Sequence, residues 1–262
     1  MEREIRRFLK NTEVVGHELI YLKETDSTNN DVKRLAKAGG MDGTVVIAGC
    51  QTAGRGRQGR SFQSPQGKGL YLSLLLRPRL PAERLIPVTA LAGVAVCRAV
   101  KRVCGAQLGL KWPNDPVLGG KKICGILTEL TAGLDVVLGI GINVAQTSVD
   151  FSPAVAEVAT SLQMELGRAV SKAELAAALI EELDQVYAAL RAGDLAGDLA
   201  FYRKVCVNLG RTVRLLSDGV WETADAVDID EEFGLVVRDA RGRMRTVRSG
   251  EVSVRGLYGY VE

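Results

Sequence analysis

The amino-acid sequence predicts an α+β fold for most of the chain, followed by a small β-barrel. Helices and strands are both expected before residue 208, but they do not alternate strictly, as they would in an α/β protein. From about Asn208 the pattern changes to five short strands separated by turns, which is typical of a small barrel. A chain of 262 residues has room for one large domain with a small appendage. We therefore predict two domains, 1–207 and 208–262.

The first third of the chain predicts three strands and a helix. A strand is expected at 17–22, and the N-cap residues Asp26-Ser27-Thr28-Asn29 predict that a helix begins there and ends at Gly39-Gly40. Apolar and β-branched residues predict buried strands at 44–48 and 70–76.

The segment between these buried strands, residues 51–69, is rich in glycine and arginine and is called here the arginine loop. Its residues 54–61 match the G-x-G-x-x-G pattern and, with arginine in place of lysine, a P-loop. Both motifs require a helix directly after the glycines, whereas this loop leads into a strand. A disordered RGG-like tract is disfavoured because the segment occurs once, between two apolar strands. Arginines at near-alternate spacing on a mobile loop instead predict a clamp for an anion such as a triphosphate.

The remaining elements follow from helical spacing, capping signals and turns. Pro113 stops regular structure after a short strand, Ser171 to Glu174 form a capping box, and a turn near Gly133 joins two strands into an antiparallel hairpin. The predicted helices are 84–103, 171–190 and 195–205, and the predicted strands are 108–111, 122–130, 136–144, 212–216, 223–229, 235–238, 245–247 and 252–255.

The charge of the chain is distributed unevenly. The formal net charge is +3, but residues 44–114 carry eleven lysines and arginines against one acid, a net charge of +10, so the rest of the chain is acidic. This asymmetry predicts an anionic partner: nucleic acid, phosphates, carboxylates or an acidic protein.

Composition excludes several kinds of chemistry. With His17 as the single histidine, a histidine-rich zinc site is impossible. Five cysteines without C-x-x-C spacing and with apolar neighbours predict reduced, buried thiols and hence a reducing compartment. The N-terminus lacks the apolar region of a signal peptide, and no uncharged helical stretch is long enough to cross a bilayer. We expect a cytoplasmic protein without a membrane partner.

A series of motifs, in this order and with these gaps, resembles the biotin protein ligases from about residue 14 to the C-terminus. No single motif is specific, but the ordered series is. The motifs are Asp26-Ser27-Thr28-Asn29, the run from Gln51 to Arg60, Ser64-Pro65, Leu70-Tyr71, Lys111-Trp112-Pro113-Asn114-Asp115, the run from Lys122 to Leu127 and Gly139-Ile140-Gly141-Ile142-Asn143.

The resemblance implies both a fold and a reaction. The fold would be a mixed β-sheet flanked by helices, with an SH3-like C-terminal barrel. The reaction would join biotin to a lysine of a biotin carboxyl carrier protein in two steps, with ATP and Mg²⁺ as cofactors and biotinyl-5′-adenylate as intermediate. Cations are needed because the biotin carboxylate and the triphosphate repel each other.

Carried over by motif, the resemblance also assigns site residues. Lys122 and Arg57 would be catalytic, Lys122 by stabilising the carboxylate and the charge that develops on the α-phosphate. Close approach of the ligand to the sheet would depend on strand glycines. The biotin-binding residues would be Ser27, Thr28, Asn29, Gln51, Arg55, Gly56, Arg57, Lys122, Gly125 and Gly139. The ATP-binding residues would be Arg57, Arg60, Phe62, Lys111, Asn114 and Asn143.

The sequence also offers one candidate metal ligand and one departure from the family pattern. The metal ligands are unknown, with Asp115 as one candidate. Phe62 stands where many family members have a tryptophan that stacks on adenine, and phenylalanine offers less stacking area.

Alternatives remain at this stage. A lipoate or octanoate protein ligase would share the catalytic fold, although the arginine loop argues against it. A nucleic-acid-binding module would use the basic segment and the barrel. Some family members carry an N-terminal helix-turn-helix, but only about 13 residues precede the resemblance, so we expect a monofunctional ligase that does not bind nucleic acid. A homodimer is frequent in the family, and the sequence leaves it open.

Overall fold

The structure is a computed structural model that describes residues 1–10, 12–217, 220–248 and 253–256. The α-helices are α1 Glu2–Phe8, α2 Thr28–Lys37, α3 Val88–Cys104, α4 Pro153–Ala156, α5 Leu162–Leu166, α6 Lys172–Ala192 and α7 Ala196–Val205. The strands are β1 Leu19–Leu22, β2 Val45–Ala48, β3 Gly69–Leu76, β4 Gly109–Lys111, β5 Asp115–Leu118, β6 Lys121–Lys122, β7 Cys124–Leu130, β8 Val136–Asn143, β9 Thr212–Ser217, β10 Val220–Ile229, β11 Leu235–Arg238, β12 Met244–Val247 and β13 Ser253–Gly256.

A mixed five-stranded sheet forms the centre of the larger domain. Its strand order is β1-β2-β3-β8-β7, with β1 and β2 parallel and the other neighbours antiparallel. Every residue of β3 and β8 is buried. Val32 of α2 packs with Val46 and Leu75 on one face, and α3 and α6 contribute to the main core on the other. The predicted mixed sheet flanked by helices is confirmed.

Helix α3 begins later than predicted. Residues Ala82–Leu85 form a short 3₁₀ turn, and the α-helix starts directly after Pro87, whose fixed φ suits a helix start and which has no N–H to leave unpaired. Gly105 ends the helix in the left-handed conformation, with φ of 72°.

A three-stranded antiparallel sheet of order β4-β5-β6 lies beside the central one and corrects two predictions. Residues 115–118 form a strand where none was predicted, because Pro116 suggests a break but occupies a position of the ladder opposite Leu110. The predicted strand 122–130 is two strands separated by Ile123, since β6 pairs with β5 whereas β7 joins the central sheet. This split places Lys122 on one sheet and Gly125 on another.

The C-terminal strands form an antiparallel sheet of order β12-β11-β10-β9-β13. The five predicted strands are confirmed in number and order. Residues 218 and 219, in the predicted turn between the first two of these strands, and Val252, the first residue of the last, lie outside the described residues. The pairings among the residues that the structure describes leave β12 and β13 as edges, so this barrel is open there. The division into 1–207 and 208–262 stays a prediction.

The C-terminal sheet contacts the larger domain beside the short sheet. The Trp112 indole Nε1 donates a hydrogen bond to the carbonyl oxygen of Phe233 over 2.9 Å, and the Phe233 ring packs edge-on against Tyr202 with centroids 5.5 Å apart. Trp112 is buried. Among the helices within the described ranges, none combines the length and apolar character needed to cross a membrane.

The thiols give a first testable prediction. All five cysteines are free, and only Cys50 is partly exposed, while the other four are buried. Burial raises the pKa of Cys206 to about 11, and burial together with Glu24 raises the pKa of Cys50. We expect a thiol reagent at pH 8 to modify one cysteine slowly in the native protein and all five after denaturation. Rapid modification of several thiols in the native protein would contradict the buried positions.

Candidate active site

A cavity of about 410 Å³ opens on the central sheet beneath the arginine loop, within the size range of small-molecule sites. The N-terminus of α2, strands β7 and β8 and residues 151–159 form its other walls. Fourteen of the fifteen predicted binding residues line it: Ser27, Thr28, Asn29, Gln51, Arg55, Gly56, Arg57, Arg60, Phe62, Lys111, Lys122, Gly125, Gly139 and Asn143. Asn114 is the exception, and Asp115, the candidate metal ligand, also lines the cavity.

Polar side chains at the start of α2 form one end of the cavity. Ser27 is the N-cap residue, but its side chain makes no capping hydrogen bond. Instead, Gln51 caps the helix: its Oε1 accepts hydrogen bonds from the Thr28 backbone N–H over 2.9 Å and from the Thr28 hydroxyl over 3.1 Å. The Ser27 hydroxyl is therefore not committed to capping, which suits a ligand contact.

Ser73, which sequence reasoning missed, lies beneath this polar cluster. Its Oγ is fully buried on β3 and lies 2.6 Å from both the Thr28 hydroxyl oxygen and Asn29 Oδ1. A single serine in an otherwise apolar strand is the sequence signal that could have found it, since a buried hydroxyl requires hydrogen-bond partners.

Glu129 is the second residue that sequence reasoning missed. Its carboxylate accepts hydrogen bonds from Asn29 Nδ2 over 2.9 Å and Lys33 Nζ over 2.7 Å, and it forms an ion pair with Arg55. Burial raises the pKa of the Glu129 carboxyl, but the hydrogen bonds from Asn29 and Lys33 and the charges of Lys33 and Arg55 outweigh burial, so the pKa lies below its usual range. The carboxylate is thus ionised at neutral pH.

Arg57 crosses the cavity to the opposite wall. Its Nη1 donates to Asn114 Oδ1 over 3.0 Å, and Asn114 Nδ2 donates to the carbonyl oxygen of Ile126 over 3.0 Å. Asn114 is almost fully buried behind Arg57. Asn114 therefore supports Arg57 from behind the cavity surface, and its predicted contact with ATP stays a prediction.

Two lysines add positive charge to the cavity. Lys122 is fixed through its backbone, because its N–H donates to the Val158 carbonyl oxygen and its own carbonyl accepts from the Thr160 N–H. Its Nζ lies 2.5 Å from Asp115 Oδ1. Lys111 is 4% exposed and lies opposite Asp115 in the β4–β5 pairing. The cations thus stand beside a carboxylate that can orient Lys122.

The strand glycines make room for side chains of the protein itself. A Cβ added at Gly141 would lie 2.5 Å from the Phe62 ring, and one at Gly125 would lie 2.9 Å from it. A Cβ at Gly139 would lie 2.1 Å from Asn29 Oδ1. The atoms closest to these glycines are those of Phe62 and Asn29. The expectation that the glycines let a ligand approach the sheet stays a prediction.

Phe62 and Asn143 both have defined partners in the cavity wall. The Phe62 ring meets Tyr71 edge-on, with centroids 6.4 Å apart. Asn143 Nδ2 donates to the Thr160 carbonyl oxygen and its Oδ1 accepts from Gln146 Nε2, both over 3.0 Å. The predicted contacts of both residues with the nucleotide stay predictions.

Comparison with known proteins agrees with this geometry. Residues 21–144 match the biotin/lipoate A/B protein ligase family and residues 209–255 match the biotin protein ligase C terminal domain. These matches, together with the fold and the cavity, define a ligase of the biotin and lipoate class. The chain belongs to the biotin protein ligase family.

Individual relatives cover nearly the whole chain. The biotin--[acetyl-CoA-carboxylase] ligase of Mycobacterium tuberculosis is 35% identical over 260 residues, which are 96% of this chain and 94% of that protein. The bifunctional ligase/repressor BirA of Bacillus subtilis is 34% identical over 257 residues, 97% of this chain and 78% of that protein.

Two solved structures are similar along the chain. The biotin protein ligase from Aquifex aeolicus in complex with biotin and ATP has a TM-score of 0.82 at 30% identity, covering 92% of this chain and 99% of that one. The ligase from Leishmania major in complex with biotinyl-5-AMP has a TM-score of 0.60 at 27% identity, covering 89% and 99%.

Proposed function

We propose that this protein ligates biotin to a lysine of a biotin carboxyl carrier protein, using ATP and passing through biotinyl-5′-adenylate. The observation that carries the proposal is the cavity itself, in which a polar cluster at the start of α2 and the cations Arg57 and Lys122 face one space beneath the arginine loop. The Aquifex aeolicus ligase was solved with biotin and ATP, and the Leishmania major ligase with biotinyl-5-AMP. Both of these ligases share the fold of this protein.

Biotin would lie at the α2 end of the cavity. Ser27, Thr28, Asn29 and Gln51 offer hydroxyl and amide groups to a ureido ring that both donates and accepts hydrogen bonds. Apolar side chains such as Leu72 and Ile140 line the same cavity and suit the thioether ring and aliphatic chain of biotin. The carboxylate would then point toward Lys122, with Arg55, Gly56, Gly125 and Gly139 as the remaining biotin contacts.

ATP would occupy the end of the cavity that carries the cations. Arg57, Arg60 and Lys111 would bind phosphate oxygens, and Phe62 would stack on the adenine. Asn143 lines this wall and Asn114 supports Arg57 from behind. Among the described residues no group of three or more histidine, cysteine and acidic side chains could hold a metal. Mg²⁺ would therefore be held by the triphosphate, with Asp115 as a single protein ligand, and it would offset the phosphate charge.

The proposed reaction has two chemical steps. In the first step a biotin carboxylate oxygen attacks the α-phosphorus, the bond to the β-phosphate oxygen breaks and pyrophosphate leaves. Lys122 and Arg57 offset the added charge on the α-phosphate oxygens. In the second step a lysine amine attacks the carbonyl carbon of the mixed anhydride, loses a proton, and AMP leaves.

The partners and the location of the protein follow from this reaction. The acceptor would be a biotin carboxyl carrier protein, since a relative is named a biotin--[acetyl-CoA-carboxylase] ligase. Free thiols and the use of ATP favour the cytoplasm. A homodimer paired through the central sheet is a further hypothesis, which sedimentation would test.

The test is a two-stage assay. With biotin and ATP the protein should release pyrophosphate, and on addition of a biotin carrier domain it should transfer biotin to one lysine. Replacing biotin with lipoate separates the two ligase classes. Lipoate transfer without biotin transfer would contradict the proposed substrate.

A further inference from the structure

We propose that Glu129 is a positioning residue that latches the arginine loop over the cavity through Arg55 and couples this latch to the orientation of Asn29. The inference rests on the proposed function for its effect on biotin, but the latch consists of contacts between residues of the protein itself and can be tested apart from biotin. Glu129 lies on β7, 74 positions from Arg55 in sequence and 100 from Asn29.

The contact between Arg55 and Glu129 is bidentate. Arg55 Nη2 lies 3.1 Å from Glu129 Oε1 and Arg55 Nη1 lies 3.3 Å from Oε2, so each guanidinium Nη atom meets a different carboxylate oxygen. Arg55 Nη1 also lies 3.3 Å from Asn30 Oδ1 on α2. A paired fork of this kind fixes direction as well as distance. Arg55 therefore ties the loop to β7 and to α2.

The same carboxylate also sets the orientation of the Asn29 amide. Glu129 Oε2 accepts from Asn29 Nδ2, while Asn29 Oδ1 faces the Ser73 hydroxyl. An amide with its two ends held by different partners presents a fixed pattern of donor and acceptor to a ligand. A change at Glu129 thus reaches the loop and the ligand-facing amide together.

Backbone hydrogen bonds also hold the loop: near its start, the Thr52 and Ala53 N–H groups donate to the Thr25 and Asp26 carbonyl oxygens. Gly56 N–H donates to the Arg60 carbonyl oxygen over 2.7 Å and Phe62 N–H donates to the Gly54 carbonyl oxygen over 2.9 Å, which closes the loop on itself. Arg57 reaches the opposite wall at Asn114. Loss of the Glu129 contact would leave Arg55 with Asn30 as its side-chain partner in the described part of the chain.

The charge balance separates the roles of the two arginines. The Glu129 carboxylate is shared between Arg55 and Lys33, whereas Arg57 is held by an uncharged amide. The charge of Arg55 is thus partly offset by Glu129, whereas Arg57 keeps its charge for the triphosphate, together with Arg60 and Lys111. Arg55 acts as the anchor of the loop.

Trypsin measures the latch in the protein without ligand, because Arg55, Arg57 and Arg60 are cleavage sites within the loop. Glu129→Gln keeps the shape of the side chain but removes its charge. It also replaces one carboxylate oxygen with an NH₂ group, which cannot accept the hydrogen bonds that Asn29, Lys33 and Arg55 donate. We expect cleavage after these arginines, mapped by mass spectrometry, to be about fivefold faster than in the wild type, since the pair is partly exposed. An unchanged cleavage rate would overturn the latch.

Lys33→Gln is the matched control. Lys33 binds the same carboxylate through Oε1 but does not contact the loop and does not line the cavity. In the Lys33→Gln variant, trypsin should cleave the arginine loop at the wild-type rate. Equal acceleration in both variants would show that Glu129 acts only by stabilising α2, and would overturn the proposal. Urea unfolding of both variants identifies any cleavage that comes from global unfolding.

Ligand release tests the coupling to Asn29. Biotinyl-5′-adenylate should dissociate about fivefold faster from Glu129→Gln than from the wild type, and the KM for biotin should rise with little change in kcat. Faster cleavage of the loop with unchanged adenylate release would overturn the coupling. If the wild type forms no adenylate, the proposed function fails while the proteolysis result still decides whether the latch exists.

Discussion

Replacement of Lys122 by methionine is expected to lower the rate of biotinyl-5′-adenylate formation by about 10²- to 10³-fold, the loss that follows removal of one preorganised group facing developing charge. Lys122 is the predicted cation whose backbone is fixed on both sides by residues 158–160 and whose Nζ is oriented by Asp115. Methionine keeps an unbranched side chain one atom shorter than that of lysine and removes the charge. Pyrophosphate release with biotin and ATP measures the effect.

The neighbouring lysine provides the control. Lys121 lies on the same short strand, and its Nζ lies 3.3 Å from the Ala156 carbonyl oxygen, outside the cavity lining. Lys121→Met should retain adenylate formation near the wild-type rate. Equal losses in the two variants would mean that the effect comes from the strand rather than from the Lys122 ammonium group.

Gly139→Ala is expected to weaken biotin binding by about 10- to 100-fold. The new Cβ would lie 2.1 Å from Asn29 Oδ1, so the Asn29 side chain must move away from Ser73 and Glu129. A hydrogen bond to a charged partner contributes about 1.5–3 kcal/mol, which corresponds to this range of affinity when the amide can no longer be held in place. Calorimetric titration with biotin measures the change.

Gly133 lies in the turn of the same β7–β8 hairpin and serves as the control for Gly139. A Cβ added there meets only the Thr131 hydroxyl oxygen at 3.9 Å, an ordinary contact. Gly133→Ala should bind biotin as the wild type does. Wild-type affinity in Gly139→Ala would show that Asn29 does not contribute to the biotin site.

Much of the fold could be predicted because its signals are local. Ser27 with the following polar residues marks the start of α2, Ser171 starts α6, and the apolar runs of β3 and β8 predict buried strands. The short sheet was missed because its pairing depends on contacts across the turn at Trp112-Pro113-Asn114, and Pro116 on its own suggests the end of a strand.

The sequence predicted which residues line the site but not which residues contact one another there. Fourteen of the residues that the motifs predicted line one cavity, although their roles stay predictions. The partners of the arginines could not be predicted, because Glu129 meets Arg55 only through the position of β7 in the sheet. Asp115 pairs with Lys122 and Glu129 pairs with Arg55, and both acids lie beyond the end of the basic segment 44–114. The charge of that segment alone could not reveal these pairs.

The most direct test of this account is the mass of the small molecule bound after the protein is incubated with biotin and ATP without an acceptor. We expect one biotinyl-5′-adenylate per cavity, with an equal amount of pyrophosphate released. Recovery of unchanged biotin and ATP, or of ADP, would contradict the assignment of this cavity as the place where biotin is adenylated.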